Sequence, residues 1–205
     1  MRILRVVIIA GGAYEPCIDI KEDDFVICAD HGYDYALKYS IHTDMLIGDF
    51  DSVNADISPV KDKISFPSRK DFSDSEIAVK KAIEMKPDEV ALLGFTGSRL
   101  DHSLANLTML KQFYERGITA YIADAHNTVY YYKDFFEING KKGSLVSLVP
   151  MTYEISLITT YGLDYPLDNE TLYFGQSRGI SNVVVSDKAG YKSKSGEGFI
   201  IFSKD

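Results

Sequence analysis

The sequence has little of what marks several large classes of protein. Its 205 residues include only two cysteines, Cys17 and Cys28, which are too few and too far apart for a thiolate zinc site or a disulfide framework. We interpret both as small buried residues in a protein of the reducing cytoplasm. The N-terminal apolar stretch from Val6 to Ala10 is too short for a signal peptide or a membrane span, so we predict no membrane association.

Basic residues are also scarce. The chain has 22 Lys and Arg against 30 Asp and Glu, a formal net charge of −8. Proteins that bind nucleic acids or anionic membranes need a basic surface, so we exclude both as general partners. A single nucleotide is not excluded, because a divalent cation and a few local cations can neutralise its phosphates.

The first part of the chain alternates short apolar runs with helical patterns. The pattern SDSEIAVKKAIEM starts with Ser73 and Glu76 at capping-box spacing, and DHSLANLTMLKQFYERG ends at Gly117, a helix stop. Such alternation predicts a doubly wound α/β domain with a mostly parallel sheet over residues 1–125, which binds ligands at the carboxyl ends of its strands. The predicted strands lie in ILRVVIIA, FVICAD, MLIGD, KISFP, EVALLG and ITAYIAD.

After His126 the pattern changes to short β-branched and aromatic runs separated by Gly, Asn and Asp. No helical period of useful length follows. We therefore predict a C-terminal antiparallel β-sandwich domain over residues 126–205. Its runs are TVYYY, FFEI, SLVSLVP, YEISLITTY, TLYF, SNVVVSD and EGFIIFS.

Five aspartates lie at strand ends and a helix start of the first domain. Asp30 follows the second strand, Asp49 and Asp51 follow the third, and Asp71 and Asp74 precede a helix. In a parallel sheet these positions gather at one edge. Magnesium takes oxygen ligands, usually one or two carboxylates together with substrate phosphates, so the pattern indicates a Mg²⁺ site. The alternative is that each aspartate caps a turn or helix.

The segment from Gly94 to Arg99, GFTGSR, runs from a strand into a helix. Its two glycines allow close backbone approach, free N–H groups at the helix start favour an anion, and Arg99 offers a planar fork to phosphate. The loop lacks the GK[ST] ending of a Walker A motif, and a plain strand-to-helix turn is the alternative. His102 and Asn106, four residues apart on one helical face, are further candidates for nucleotide contact.

These motifs together resemble those of the thiamine pyrophosphokinase (thiamine diphosphokinase) family. The segments that carry the resemblance are ADHGYDYAL, IGDFDSV, KDFSDSEIAV, GFTGSRLDHSLANL, YGLDYPL and SRGISN. The resemblance implies transfer of the pyrophosphoryl group of ATP to the hydroxyl of thiamine, giving thiamine diphosphate and AMP with Mg²⁺. It also implies a homodimer whose active site lies between subunits.

The resemblance also assigns roles to individual residues. It implies a magnesium site of Asp49, Asp51 and Asp74 with Asp30 beside it, and catalytic roles for Asp71, Asp74 and Arg99. The implied thiamine contacts are Tyr165, Ser181 and Asn182. The implied ATP contacts are Gly94, Thr96, Gly97, Arg99, Asp101, His102 and Asn106.

Three positions depart from the family pattern. His31 stands where glycine is commoner, Ser98 replaces the second glycine of a GGR motif, and Asp164 replaces a lysine. None removes an expected metal ligand. Two other functions are compatible with parts of the sequence: a related pyrophosphokinase acting on a hydroxymethylpterin, and a non-catalytic nucleotide-binding module.

Overall fold

The computed structural model describes residues 4–51, 53, 55–67 and 71–204. The chain divides into two compact units, Met1–Ala125 and His126–Asp205. Three residues of the motifs quoted above, Ile3, Ser52 and Lys70, lie outside the described residues. Within the described ranges, no helix is both long and apolar enough to cross a membrane.

The first unit contains a six-stranded sheet in which every neighbouring pair is parallel, in the order β4-β3-β2-β1-β5-β6. The chain adds β2, β3 and β4 on one side of β1, then returns to place β5 on its other side. The strand order therefore reverses between β1 and β5, which is where open α/β sheets bind ligands. Each predicted run contains one strand: β1 (Arg5–Ile9), β2 (Phe25–Ala29), β3 (Met45–Gly48), β4 (Asp62–Ser65), β5 (Glu89–Leu93) and β6 (Thr119–Ala123).

Three helices cover this sheet: α1 (Gly32–Lys38), α2 (Asp74–Glu84) and α3 (Leu100–Tyr114). Buried residues of α1 pack in one cluster with alternate residues of β1, β2, β3 and β5. Helix α2 contacts β1, β2, β3 and α3, and it buries Ala78, Val79 and Ala82. The predicted cap of α2 is confirmed, since the Ser73 hydroxyl accepts a hydrogen bond from the Glu76 N–H at 3.2 Å.

The second unit is antiparallel throughout its described pairings. Strand β12 pairs with β7 along one side and with β8 and β9 along the other, and a register shift separates Lys192 from Glu197. The strands enclose one apolar core, in agreement with the predicted fold class. Their bounds are β7 (Asn127–Asn139), β8 (Leu145–Pro150), β9 (Glu154–Tyr161), β10 (Glu170–Tyr173), β11 (Asn182–Val183) and β12 (Lys188–Ser203).

Three sequence expectations for this unit need correction. TVYYY and FFEI are parts of the single strand β7, which continues through Asp134 in a left-handed conformation (φ +62°). EGFIIFS is only the second half of β12, because the preceding residues, KAGYKSKSG, are too small and polar to show a strand pattern. Of SNVVVSD, only Asn182 and Val183 form a strand.

Candidate functional site

A cleft of about 740 Å³ opens in the first unit at the reversal of strand order. The loops that follow β1, β2 and β5 form its walls, and the first turns of α2 and α3 complete it. Its lining residues fall in the segments 10–13, 29–31, 73–75 and 94–99, with Tyr35, His102, Ser103 and Asn106.

The loops after β1 and β5 are joined by backbone hydrogen bonds. Gly12 N–H donates to the Gly94 carbonyl at 2.8 Å, and Ala13 N–H donates to the Thr96 carbonyl at 2.7 Å. A Cβ atom on Gly12 would lie 2.3 Å from both carbonyl oxygens, so only glycine fits. Gly94 has a φ of +69°, which also favours glycine. Sequence reasoning gave Gly12 no role, although a glycine pair directly after a buried strand was the available signal.

Side-chain hydrogen bonds from three residues hold the loop that follows β5 (the β5 loop). The Thr96 hydroxyl donates to Asp124 Oδ2 at 2.9 Å, the Asn106 amide donates to the Phe95 carbonyl at 2.8 Å, and Gly97 N–H donates to Ser103 Oγ at 3.1 Å. Asn106 is 8% exposed. The N–H of Gly97 is therefore engaged within the loop, and nucleotide contact by Thr96, Gly97 and Asn106 stays a prediction. Sequence reasoning did not identify Ser103 or Asp124.

Arg99 sits at the entrance of α3 and pairs with Asp101. Its Nη2 lies 2.6 Å from Asp101 Oδ2 and its Nε 3.3 Å from Oδ1. The hydrogen bond from Arg99 lowers the pKa of Asp101 to about 2, so this carboxylate is charged at neutral pH. Both side chains are about two-thirds exposed, at 67% and 66%. Arg99 and the exposed His102 line the cleft, so the guanidinium is available to an anion that displaces Asp101.

Asp30 is the most perturbed carboxyl group of the cleft. Its backbone is left-handed (φ +44°), and a Cβ atom on Gly48 would lie only 1.7 Å from its Oδ1. Among the described residues this buried oxygen has no hydrogen-bond partner. Burial, then a hydrogen bond and repulsion from Asp74, then repulsion from Asp49 raise the pKa of Asp30 to about 7. The structure thus brings Asp30, Asp49 and Asp74 close enough to interact.

Asp49 and Asp51 form a tight turn after β3. The Asp51 N–H donates to Asp49 Oδ1 at 3.0 Å, and Phe50 between them is left-handed (φ +64°). Asp30 and Asp74 line the cleft, whereas Asp49, Asp51 and Asp71 do not. Asp51 and Asp71 are exposed. Within residues 4–204, leaving out the undescribed positions, no three or more Asp, Glu, His or Cys side chains are gathered in a metal-binding group.

The departure at His31 is easily accommodated. His31 lies on the cleft wall with its Nδ1 2.7 Å from Asp34 Oδ2, and its side chain is 48% exposed. The strict requirement for glycine falls on the next residue, because a Cβ atom on Gly32 would lie 1.9 Å from the Ile9 carbonyl oxygen. Ser98 also lines the cleft, and nothing in the structure explains its replacement of glycine.

The predicted thiamine residues lie together in the second unit. Tyr165 N–H donates to Asn182 Oδ1 at 3.0 Å, and Asn182 Nδ2 donates to the Tyr165 carbonyl at 2.7 Å. Ser181 is exposed and left-handed (φ +56°), and its N–H donates to Ser147 Oγ at 3.0 Å. Asp164 is exposed, and its N–H donates to the Val183 carbonyl at 2.9 Å.

Comparisons with known proteins agree with this arrangement. Residues 19–122 match the family model for the thiamin pyrophosphokinase catalytic domain, and residues 136–196 match the model for the vitamin B1 binding domain of the same family. A thiamine pyrophosphokinase of Bacillus subtilis is 26% identical over 211 aligned positions, which cover 97% of this chain and 98% of the relative. Thiamin pyrophosphokinase 1 of Caenorhabditis elegans is 25% identical over 169 positions, covering 78% and 68% of the two chains.

Solved structures give the same result. The crystal structure of the B. subtilis thiamine pyrophosphokinase superimposes with a TM-score of 0.88 at 26% identity, covering 98% of this chain and 99% of the other. The yeast thiamin pyrophosphokinase, at 15% identity, shares the fold with a TM-score of 0.78 over 99% and 87% of the two chains. Because the catalytic-domain model alone spans more than half of the sequence, the chain belongs to the thiamin pyrophosphokinase family of enzymes.

Proposed function

We propose that the protein transfers the pyrophosphoryl group of ATP to the hydroxyl of thiamine, producing thiamine diphosphate and AMP. The observation that carries the proposal is the cleft at the reversal of strand order, where an acidic group and a glycine-containing loop with an arginine meet. The family models matched by both units support the choice of thiamine as acceptor.

The reaction needs positioning and charge neutralisation and does not need a covalent nucleophile. The hydroxyl oxygen of thiamine forms a bond to the β-phosphorus of ATP. The bond from that phosphorus to the oxygen bridging the α-phosphorus breaks, AMP leaves, and the hydroxyl proton is lost. Such a transfer requires a rigid loop, an arginine that can exchange its partner for phosphate, and a cluster of carboxylates.

The acidic residues fit a bound Mg²⁺. The buried Oδ1 of Asp30 lacks a hydrogen-bond partner among the described residues, and burial, with a hydrogen bond and repulsion from Asp74 and repulsion from Asp49, raises the pKa of Asp30. A cation would relieve both conditions. We propose that Asp30, Asp49, Asp51 and Asp74 supply its carboxylate ligands, with ATP phosphates completing the shell. When bound, the ion would neutralise charge on the transferred group.

The β5 loop and the start of α3 would bind the phosphates. The ATP phosphates would bind beside Gly94 and Gly97, which line the cleft, and Arg99 would exchange Asp101 for phosphate oxygens in a bidentate contact. Replacing Arg99 by Lys keeps the charge and loses the planar fork. We expect the KM for ATP to rise while calorimetric binding of thiamine alone is unchanged. The reverse result would assign Arg99 to the thiamine side.

The second unit would bind thiamine through Tyr165, Ser181 and Asn182. An exposed tyrosine ring suits a positively charged thiazolium, because the ring face attracts cations. The proposal includes a homodimer with the active site completed across the two subunits, and a location in the cytoplasm.

The direct test is a product assay with ATP, Mg²⁺ and thiamine, read by mass spectrometry. We expect AMP and thiamine diphosphate in equal amounts, and loss of both on adding a chelator. Asp49→Asn and Asp51→Asn should each lose about a hundredfold or more of turnover, because carboxylates that hold a metal are worth several kcal/mol. The exposed Asp62→Asn, at the start of β4, is the matched control and should retain turnover.

Two results would contradict the assignment. Release of AMP with a hydroxymethylpterin and not with thiamine would indicate a related pyrophosphokinase. Nucleotide binding without AMP release from any acceptor would indicate a non-catalytic module.

A further inference from the structure

Two buried polar side chains of the second unit bond to the same surface loop, residues 162–167. Thr160 is 7% exposed and Asn182 is 8% exposed. The Thr160 hydroxyl accepts the Leu167 N–H at 2.8 Å, while the Thr160 N–H donates to the Leu167 carbonyl at 2.9 Å. These bonds fix the C-terminal end of the loop.

Asn182 fixes the middle of the loop at Tyr165. Its Oδ1 accepts the N–H of Tyr165 at 3.0 Å and the N–H of Val183 at 2.9 Å, and its Nδ2 donates to the Tyr165 carbonyl at 2.7 Å. The Oδ1 has two lone pairs and both are used. At most one amide hydrogen of this buried side chain is left for any other group.

Further backbone contacts hold the start of the loop. Asp164 N–H donates to the Val183 carbonyl and Val185 N–H donates to the Gly162 carbonyl, both at 2.9 Å. Pro166, which directly follows Tyr165, restricts the backbone further. The Tyr165 ring is nevertheless 62% exposed. The result is an aromatic ring presented to solvent from a main chain that is fixed on both sides.

Burying polar side chains is costly unless they are fully bonded, so their placement at this loop calls for a reason. A fixed aromatic ring binds a flat ligand with little further loss of conformational freedom. The geometry points to Asn182, assisted by Thr160, as a positioning residue that orients the Tyr165 ring toward thiamine and does not itself bind thiamine. This inference rests on the proposed function and replaces the direct thiamine contact of Asn182 that the family resemblance implied and that the proposed function above includes.

A double-mutant cycle tests the inference. The KM values for thiamine and ATP are measured for wild type, Tyr165→Ala, Asn182→Ala and the double variant. Each single substitution should raise the KM for thiamine about tenfold and leave the KM for ATP unchanged, because each removes one oriented aromatic contact. The double variant should be no worse than the worse single variant, because both changes act through the same ring.

Matched variants separate this role from general destabilisation. Thr160→Val removes the hydroxyl that accepts the Leu167 N–H, and Thr160→Ser keeps it. Only the valine variant should raise the KM for thiamine, and its combination with Tyr165→Ala should again be non-additive. If Asn182→Ala fails to fold, the cycle of Thr160→Val with Tyr165→Ala tests the inference in its place.

Multiplied effects in the double variant would show that Asn182 contacts thiamine itself and would overturn the inference. An unchanged KM in Asn182→Ala, beside a raised KM in Tyr165→Ala, would also overturn it. Absence of AMP formation by wild-type protein is a different failure, which refutes the proposed function and the inference that rests on it.

Discussion

Removing the charge of Asp30 should make the metal-free protein more stable at alkaline pH. The pKa of Asp30 is about 7 in the folded protein against an ordinary value of 3.8. Between these values the folded protein holds a proton that the unfolded chain has lost. The stability contributed by this proton is therefore fully present below pH 4, falls as pH rises, and is lost above about pH 7.

The magnitude follows from the size of the shift. A change of about three pKa units corresponds to roughly 4 kcal/mol. Asp30 is only half-buried, so solvent screening reduces this, and we expect a penalty of about 2 kcal/mol in wild type at pH 8. Asn tolerates the left-handed backbone of this position and can donate a hydrogen bond to Asp74, so Asp30→Asn should not carry the penalty.

Urea unfolding at intervals from pH 5 to pH 9, with a chelator present, measures the difference in the free energy of unfolding between wild type and Asp30→Asn. The free energy of unfolding of Asp30→Asn should exceed that of wild type by an amount that grows between pH 5 and pH 8 and is then constant. The same variant should lose about a hundredfold or more of turnover, because Asp30 is a proposed metal ligand. Asp62→Asn should follow the wild-type pH profile. Parallel profiles for wild type and Asp30→Asn would refute the reasoning.

Four further substitutions test the packing by urea unfolding. Asp24→Asn takes the close carboxylate partner from the largely buried Arg5 guanidinium, leaving only Glu89 at 3.9 Å, and should cost about 3 kcal/mol at pH 7; a change under about 0.5 kcal/mol would contradict the ion pair. Gly32→Ala would bring a methyl group 1.9 Å from a carbonyl oxygen of β1 and should cost at least about 3 kcal/mol; wild-type stability would contradict this. Tyr191→Phe removes a buried hydroxyl that has no hydrogen-bond partner among the described residues, and it should be neutral or stabilising by about 1 kcal/mol. Tyr132→Phe breaks a 2.9 Å hydrogen bond to Ser193 and should destabilise the fold by about 1 kcal/mol. A more stable Tyr132→Phe than Tyr191→Phe would contradict both assignments.

The arrangement of the first unit could be predicted from sequence because its signals are local. Each strand is a short apolar run, and parallel pairing places all their carboxyl ends at one edge. That rule placed five aspartates at this edge, and Asp30 and Asp74 are the two of them that line the cleft. The N-terminal cap of α2 could likewise be predicted, because Ser73 and Glu76 are only three residues apart in the sequence.

Contacts between distant residues could not be predicted in this way. Thr96 bonds to Asp124, 28 residues away, and Asn182 bonds to Tyr165, 17 residues away. Sequence reasoning named Thr96 and Asn182 as ligand contacts from their family motifs, and it had no signal for these bonds to distant residues. The bonds depend on the packed structure, and ligand contact by Thr96 stays a prediction.

The most direct test of the central claim is to follow isotopic label from ATP in the presence of thiamine and Mg²⁺. Label in the γ-phosphate should appear in thiamine diphosphate, and label in the α-phosphate should appear only in AMP. This pattern requires transfer of the β- and γ-phosphates as one group. Label from the γ-phosphate in thiamine monophosphate or free phosphate, with ADP as the nucleotide product, would contradict the account.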